Sequence, residues 1–229
     1  MTSSRSVPLR PGDYAPGFAL PAVNRDGVVA LEDYRGRCPV LVGLLRGLHC
    51  PFCRRQVITL QATQEKVARE GVEVLAIVNT RLERARSYFQ YRPTRVLLAA
   101  DPDRQTHQAF GLPKIKVLPD ETSFDELQWP VTTTRAYLAT LRFNPTGELP
   151  EPMNGFAAEE ILNKADRFQY TDIDREMIVA HAPQLTGHFL IDSTGVIRWA
   201  FIGGIDEPNE WSTFPTDGAL LAAAQALSR

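Results

Sequence analysis

No stretch of this sequence is long and apolar enough to cross a bilayer. The longest apolar runs, residues 39–45 and 219–227, fall well short of the ~18 residues a span requires, so no membrane association is expected. Charge of one sign is missing too: 25 Lys and Arg oppose 27 Asp and Glu, a formal net charge of -2. Such a surface has no field to hold a polyanion, which argues against a nucleic-acid partner. Cysteine is scarce, 3 in 229 residues, too few and odd in number for the disulfide framework of a secreted chain. Residues 1–13 contain Arg5 and Arg10 but no apolar stretch of ~7 residues. No signal peptide is read there, and a cytoplasmic protein is expected.

What remains is an ordinary globular composition, 44% hydrophobic and 23% charged with 15 Gly and 17 Pro, long enough to bury a full core unaided. After an irregular arm over residues 1–17, two extended pieces at 18–20 and 28–31 flank Asn24-Arg-Asp-Gly27, an N-terminal β-hairpin. The apolar runs 39–45 and 73–78 and the shorter 96–99 have strand length, and helical spacing follows each: from Pro51 to the stop at Gly71, over 82–91, and over 104–110 before Gly111. Strands alternating with helices call for a largely parallel α/β sheet. Residues 188–192 and 196–202 read as a second hairpin, with Trp199 and Phe201 expected in the core, and 220–227 as a closing helix. Residues 118–183 break the rhythm with Trp129-Pro130, a turn region at 144–152 and helices at 156–165 and 173–181, the second opened by a capping box from Thr171. This stretch, long and without strands, reads as an insertion into one domain, 1–229, whose core is about 8–117 and 184–228.

Two of the three cysteines form Cys50-Pro-Phe-Cys53 at a helix entrance. Unpaired N–H groups and the helix dipole there favour a thiolate at Cys50, and Cys53, one turn inside, can reach it and close a small disulfide. Arg46, Arg54 and Arg55 add positive charge, although Arg54 and Arg55 also read as a solvated helix face; His49 is placed to assist as cation or base. A lone C-x-x-C can equally be half of a zinc site, but a second ligand pair is missing and His107, His181 and His188 are scattered. No metal and no cofactor is expected. Cys38, before Pro39, reads as a passive cysteine.

The landmarks together resemble the peroxiredoxin-like branch of the thioredoxin-like superfamily, the alkyl hydroperoxide reductase/thiol-specific antioxidant type. They are, in order, Pro11-Gly-Asp-Tyr-Ala-Pro-Gly-Phe18, Leu31-Glu-Asp-Tyr-Arg-Gly36, Arg46-Gly-Leu-His-Cys-Pro-Phe-Cys53, Asp101-Pro-Asp-Arg with Ala109-Phe-Gly111, and Phe189-Leu-Ile-Asp-Ser-Thr-Gly-Val-Ile-Arg198. The likeness covers roughly residues 8–113 and 184–228. It implies a thioredoxin-like α/β fold, a central mixed sheet flanked by helices. It also implies an antioxidant thiol enzyme in which Cys50 attacks a peroxide, Cys53 resolves the sulfenic acid as a disulfide, and an external dithiol such as a thioredoxin reduces the pair. The sequence departs from the family pattern P-x-x-x-T/S-x-x-C at Gly43 and Gly47. Near the later strand, Thr186 stands where such proteins carry an arginine, or thioredoxin-like reductases a cis-proline; its hydroxyl is the substitute donor for the one absent at Gly47. Two other readings stay open, a thiol-disulfide oxidoreductase acting on protein disulfides and a non-enzymatic metal- or redox-sensing protein. The hairpin edges and the insertion each offer a homodimer interface.

Overall fold

A computed structural model describes residues 7–112, 114–142, 144, 147–207 and 213–227. Residues 1–6 of the N-terminal arm, Pro145 and Thr146 of the turn region, and positions 113 and 228 at the limits read above lie outside it.

The chain opens with β1 (Ala19–Pro21) and β2 (Val28–Ala30), paired antiparallel. Gly27, at φ 88°, takes the left-handed backbone that this turn needs and that a side chain resists. Next come β3 (Val40–Leu45), α1 (Pro51–Val67), β4 (Glu73–Val78), α2 (Leu82–Tyr91), β5 (Leu97–Ala100) and α3 (Gln105–Ala109). The 118–183 stretch overlaps β6 (Lys116–Leu118) and contains β7 (Thr132–Thr134), α4 (Arg135–Thr140), α5 (Gly155–Ala165) and α6 (Asp172–His181). The chain then returns through β8 (Gly187–Ile191) and β9 (Ile197–Ile202) and closes with α7 (Asp217–Leu227).

Five strands form a mixed sheet in the order β5-β4-β3-β8-β9, parallel among β3, β4 and β5 and antiparallel from β3 through β8 to β9. Every residue of β3 is buried, which explains its unbroken apolar run: both faces are covered. Leu41 and Leu45 belong to one buried cluster with side chains of α1, α2, α5 and α7, whereas Val40, Val42 and Leu44 belong to another with the N-terminal hairpin, Phe110 and Leu112. Large fully buried side chains such as Phe52, Phe110 and Phe189 stabilise these layers by about 1.5–3 kcal/mol each.

Two expectations fail locally. The 118–183 stretch is not without strand: β6 and β7 form a two-stranded parallel sheet of three residues each, too short to leave a periodic trace. Trp199 and Phe201 are half-buried rather than core residues, because β9 is an edge strand; their rings stack on each other 6.4 Å apart.

Candidate functional site

The loop from β3 to α1 delivers the cysteines. Cys50 is the N-cap of α1 and Pro51 its first residue, where a missing N–H goes unnoticed. The Cys53 backbone N–H donates to Cys50 Sγ across 3.2 Å, the bond that a capping side chain makes to the open end of a helix. Both cysteines are free thiols, 1% and 2% exposed.

Arg46, also buried, supplies the charge. Its guanidinium and its backbone N–H both bond the Cys53 sulfur. The two thiols ionise as one unit. Burial opposes any charge there, but the hydrogen bond between the sulfurs and the contacts from Arg46 outweigh it, and the first proton leaves at a lowered pKa of about 6, centred on Cys53. Burial and the charge already present then hold the second, on Cys50, well above the ordinary thiol range. The helix terminus alone therefore does not make Cys50 the acidic member; the negative charge is shared and anchored by Arg46. His49 is no cation: burial, then the nearby charge of Arg46, lowers its pKa to about 4, which leaves a neutral ring.

Arg46 and His49 also line a cavity of about 410 Å³. Most of its remaining wall comes from the 118–183 stretch, with Leu138 of α4, Phe156 and Glu159 of α5, Tyr170, and Ile178 of α6. Gln184 completes it, 2% exposed with neither amide atom hydrogen-bonded. Glu159 is held protonated to an unusually high pH, its pKa raised to about 7 by burial first and the charge of Cys50 second.

The residues read from sequence separate into two groups. Cys50, Cys53, His49 and Arg46 converge. Arg54 does not face the sulfurs as a free cation, nor a solvated face: it is buried, bonds Leu48 O, Asn163 Oδ1 and Asp166, and lies over the Phe168 ring at 4.2 Å. Arg55 joins it on Asp166. Thr186 is not part of the cavity wall; its hydroxyl points toward Gly203, where a Cβ would lie 3.0 Å away. The cis peptide is present at Ala182–Pro183, three residues before the place read for it, and both residues line the cavity.

Packing accounts for the two departures from the family pattern. A Cβ at Gly47 would lie 2.6 Å from the Asn79 carbonyl oxygen and 2.9 Å from His49 Nδ1, so no hydroxyl side chain fits there. At Gly43 a Cβ would press on Leu60 and on the His188 ring, which is itself bonded to Gln56. Among the described residues no three His, Cys, Asp or Glu gather as a metal-ligand set. Cys38 lies beyond the opposite end of β3, its thiol donating to Glu73 at 3.5 Å.

Glu159 and Gln184 escape the motif reading. For Glu159 a signal existed: it shares a helical face with Gly155 and Leu162, both buried, and a carboxylate on a buried stripe is costly unless it has a task. Gln184 carries no such mark in the sequence.

Over 106 residues the chain is 32% identical to peroxiredoxin Bcp of Escherichia coli K12, spanning 46% of this chain and 66% of that relative. Over 108 residues it is 30% identical to a putative peroxiredoxin of Mycobacterium tuberculosis, spanning 47% and 68%. The fold resembles that of the reduced 2-Cys peroxiredoxin of Plasmodium vivax, with a TM-score of 0.56 at 15% identity over 96% of this chain and 82% of that one. It also resembles peroxidoxin BcpB of M. tuberculosis, with a TM-score of 0.54 at 13% identity over 96% and 98%. The AhpC/TSA family model matches residues 11–149, more than half of the sequence and the part that holds both cysteines, Arg46 and the three parallel strands; the chain belongs to the AhpC/TSA family.

Proposed function

We propose that the chain is a thiol peroxidase. The observation that carries this reading is the buried Cys50/Cys53 pair at the N-terminus of α1, with its shared negative charge held by Arg46. A peroxide enters the cavity beside Arg46 and His49. The Cys50 sulfur takes its terminal oxygen and becomes a sulfenic acid; the Cys53 sulfur then displaces water to form the disulfide, and an external dithiol such as a thioredoxin reduces it. Gln184, which lines the cavity and whose buried amide atoms have no hydrogen-bond partner, is better placed than Thr186 to orient the peroxide in the absence of a hydroxyl at position 47. On this reading the 118–183 stretch is an insertion that walls the substrate cavity. The protein works in the cytoplasm, where reducing conditions return the pair to thiols.

Rapid mixing of the reduced protein with hydrogen peroxide, followed through Trp fluorescence and thiol titration, tests this. Stoichiometric loss of two thiols is expected; it is abolished by Cys50→Ser, and Cys53→Ser leaves a trappable sulfenic acid. Slow reaction with peroxide beside fast exchange with a small disulfide would instead make the protein a thiol-disulfide oxidoreductase.

A further inference from the structure

The helix α5 brings a carboxyl into the cavity beside Arg46 and His49, within electrostatic reach of Cys50. Glu159 lies one turn beyond Gly155 and one turn before Leu162, on the side of α5 that packs inward, and it shares the cavity wall with Arg46 and His49. The cations near it have other work. Arg54 is committed to Asp166, Asn163 and the Leu48 carbonyl, and Arg46 to the Cys53 sulfur. Cys50, Arg46, Arg54 and Tyr170 are the ionisable groups that act on Glu159 or feel its charge. His49, His181 and Arg135 lie elsewhere on the cavity wall, His181 with Nε2 on the Pro102 carbonyl and Arg135 over the Phe156 ring.

The cleavage step also needs a proton for the leaving oxygen. As Cys50 attacks, its proton passes to the Cys53 thiolate, a sulfur–oxygen bond forms, the oxygen–oxygen bond breaks, and the departing oxygen leaves with the electron pair as an alkoxide or hydroxide. That oxygen must gain a proton. We propose that Glu159, as a carboxylic acid, donates this proton. Cys50 is then oxidised to the sulfenic acid, the peroxide is reduced to an alcohol or water, and Glu159 is left as a carboxylate that solvent reprotonates through the cavity. This role rests on the peroxidase reading above.

The test compares two peroxides with leaving groups of opposite need. tert-Butyl hydroperoxide expels a strongly basic alkoxide; peracetic acid expels acetate, which is stable without a proton. Single-turnover rates are measured for the wild type, Glu159→Gln and Glu159→Asp. Glu159→Gln is expected to slow the alkyl hydroperoxide by about 10²-fold, the scale of general acid catalysis, and peracetic acid by less than about threefold, with Glu159→Asp intermediate. Equal slowing of both, or of neither, overturns the role of Glu159. A wild type that consumes neither peroxide overturns the peroxidase reading itself. Because the readout is a ratio within each variant, partial loss of folded protein does not enter it; should Glu159→Gln fail to fold, the Glu159→Asp ratio decides, and a value equal to the wild type's overturns the role.

Discussion

Arg54, the residue after Cys53, ion-pairs with Asp166 at the C-cap of α5. This contact, reinforced by Arg55 on the same carboxylate at 2.9 Å, holds the helix that carries Glu159 against the helix that carries the cysteines, while Arg84 of α2 pairs with Asp174 of α6 at 2.8 Å. The first prediction follows from it. Asp166→Ala leaves a buried guanidinium without its anion, which costs about 3 kcal/mol, measured as a lower urea midpoint, and the peroxide rate falls with it. Burial alone would raise the Asp166 carboxyl, but the hydrogen bonds from Arg55 and Arg54 bring it below the ordinary range. Its contribution is therefore full above the unfolded carboxylate pKa of ~3.9 and fades as pH falls through the folded value. Wild type and variant should converge in stability in acid; a constant gap would contradict the assignment.

The pH profile supplies a second test. With the pair's first proton lost at about 6 and Glu159 deprotonating at about 7, single-turnover rates with an alkyl hydroperoxide should rise through the first and fall through the second. Peracetic acid should show the rise alone. His49, at about 4, is neutral throughout and adds no limb. Arg46→Met should move the rising limb upward by roughly one to three units, read as thiolate absorbance at 240 nm. An unmoved limb would mean that the helix terminus alone carries the charge.

A third prediction concerns the family hydroxyl. Gly47→Thr restores the family's residue type but drives a Cβ into the Asn79 carbonyl and the His49 ring, so it should lose about 1–3 kcal/mol of stability, the range for overpacking, and gain no peroxidase rate. A faster, equally stable variant would show that the glycine is not required by packing.

Cys38 provides the fourth. Its thiol is bonded to Glu73 and pushed up, by burial and by that carboxylate, and β3 separates it from the pair by roughly 20 Å of strand at ~3.3 Å per residue. Cys38→Ser should still lose two thiols per chain to one peroxide, at the wild-type rate; thiol counting after a single turnover decides it.

Much of the fold was legible because its central strands are buried on both faces. The strand read at 73–78 and the helix read at 82–91 coincide with β4 and α2, and Thr171 caps α6 with Asp174 in return, since capping is local chemistry. What escaped was short or nonlocal. β6 and β7 exist through their pairing with each other, and β9 exposes one side of Trp199 and Phe201 because no strand follows it at the sheet edge.

The candidate site divides the same way. The sequence by itself determined the helix entrance, the two cysteines one turn apart and the α/β frame, because each depends on neighbours within a few residues or on a repeating apolar pattern. Only the tertiary structure decided that Arg46 rather than Arg54 meets the sulfurs, that Gln184 rather than Thr186 lines the cavity, and that Glu159 shares that cavity with Arg46 and His49. The last two join side chains scores of residues apart in sequence, and even for Arg46, a few residues from the cysteines, no local spacing encodes which way a buried side chain will turn.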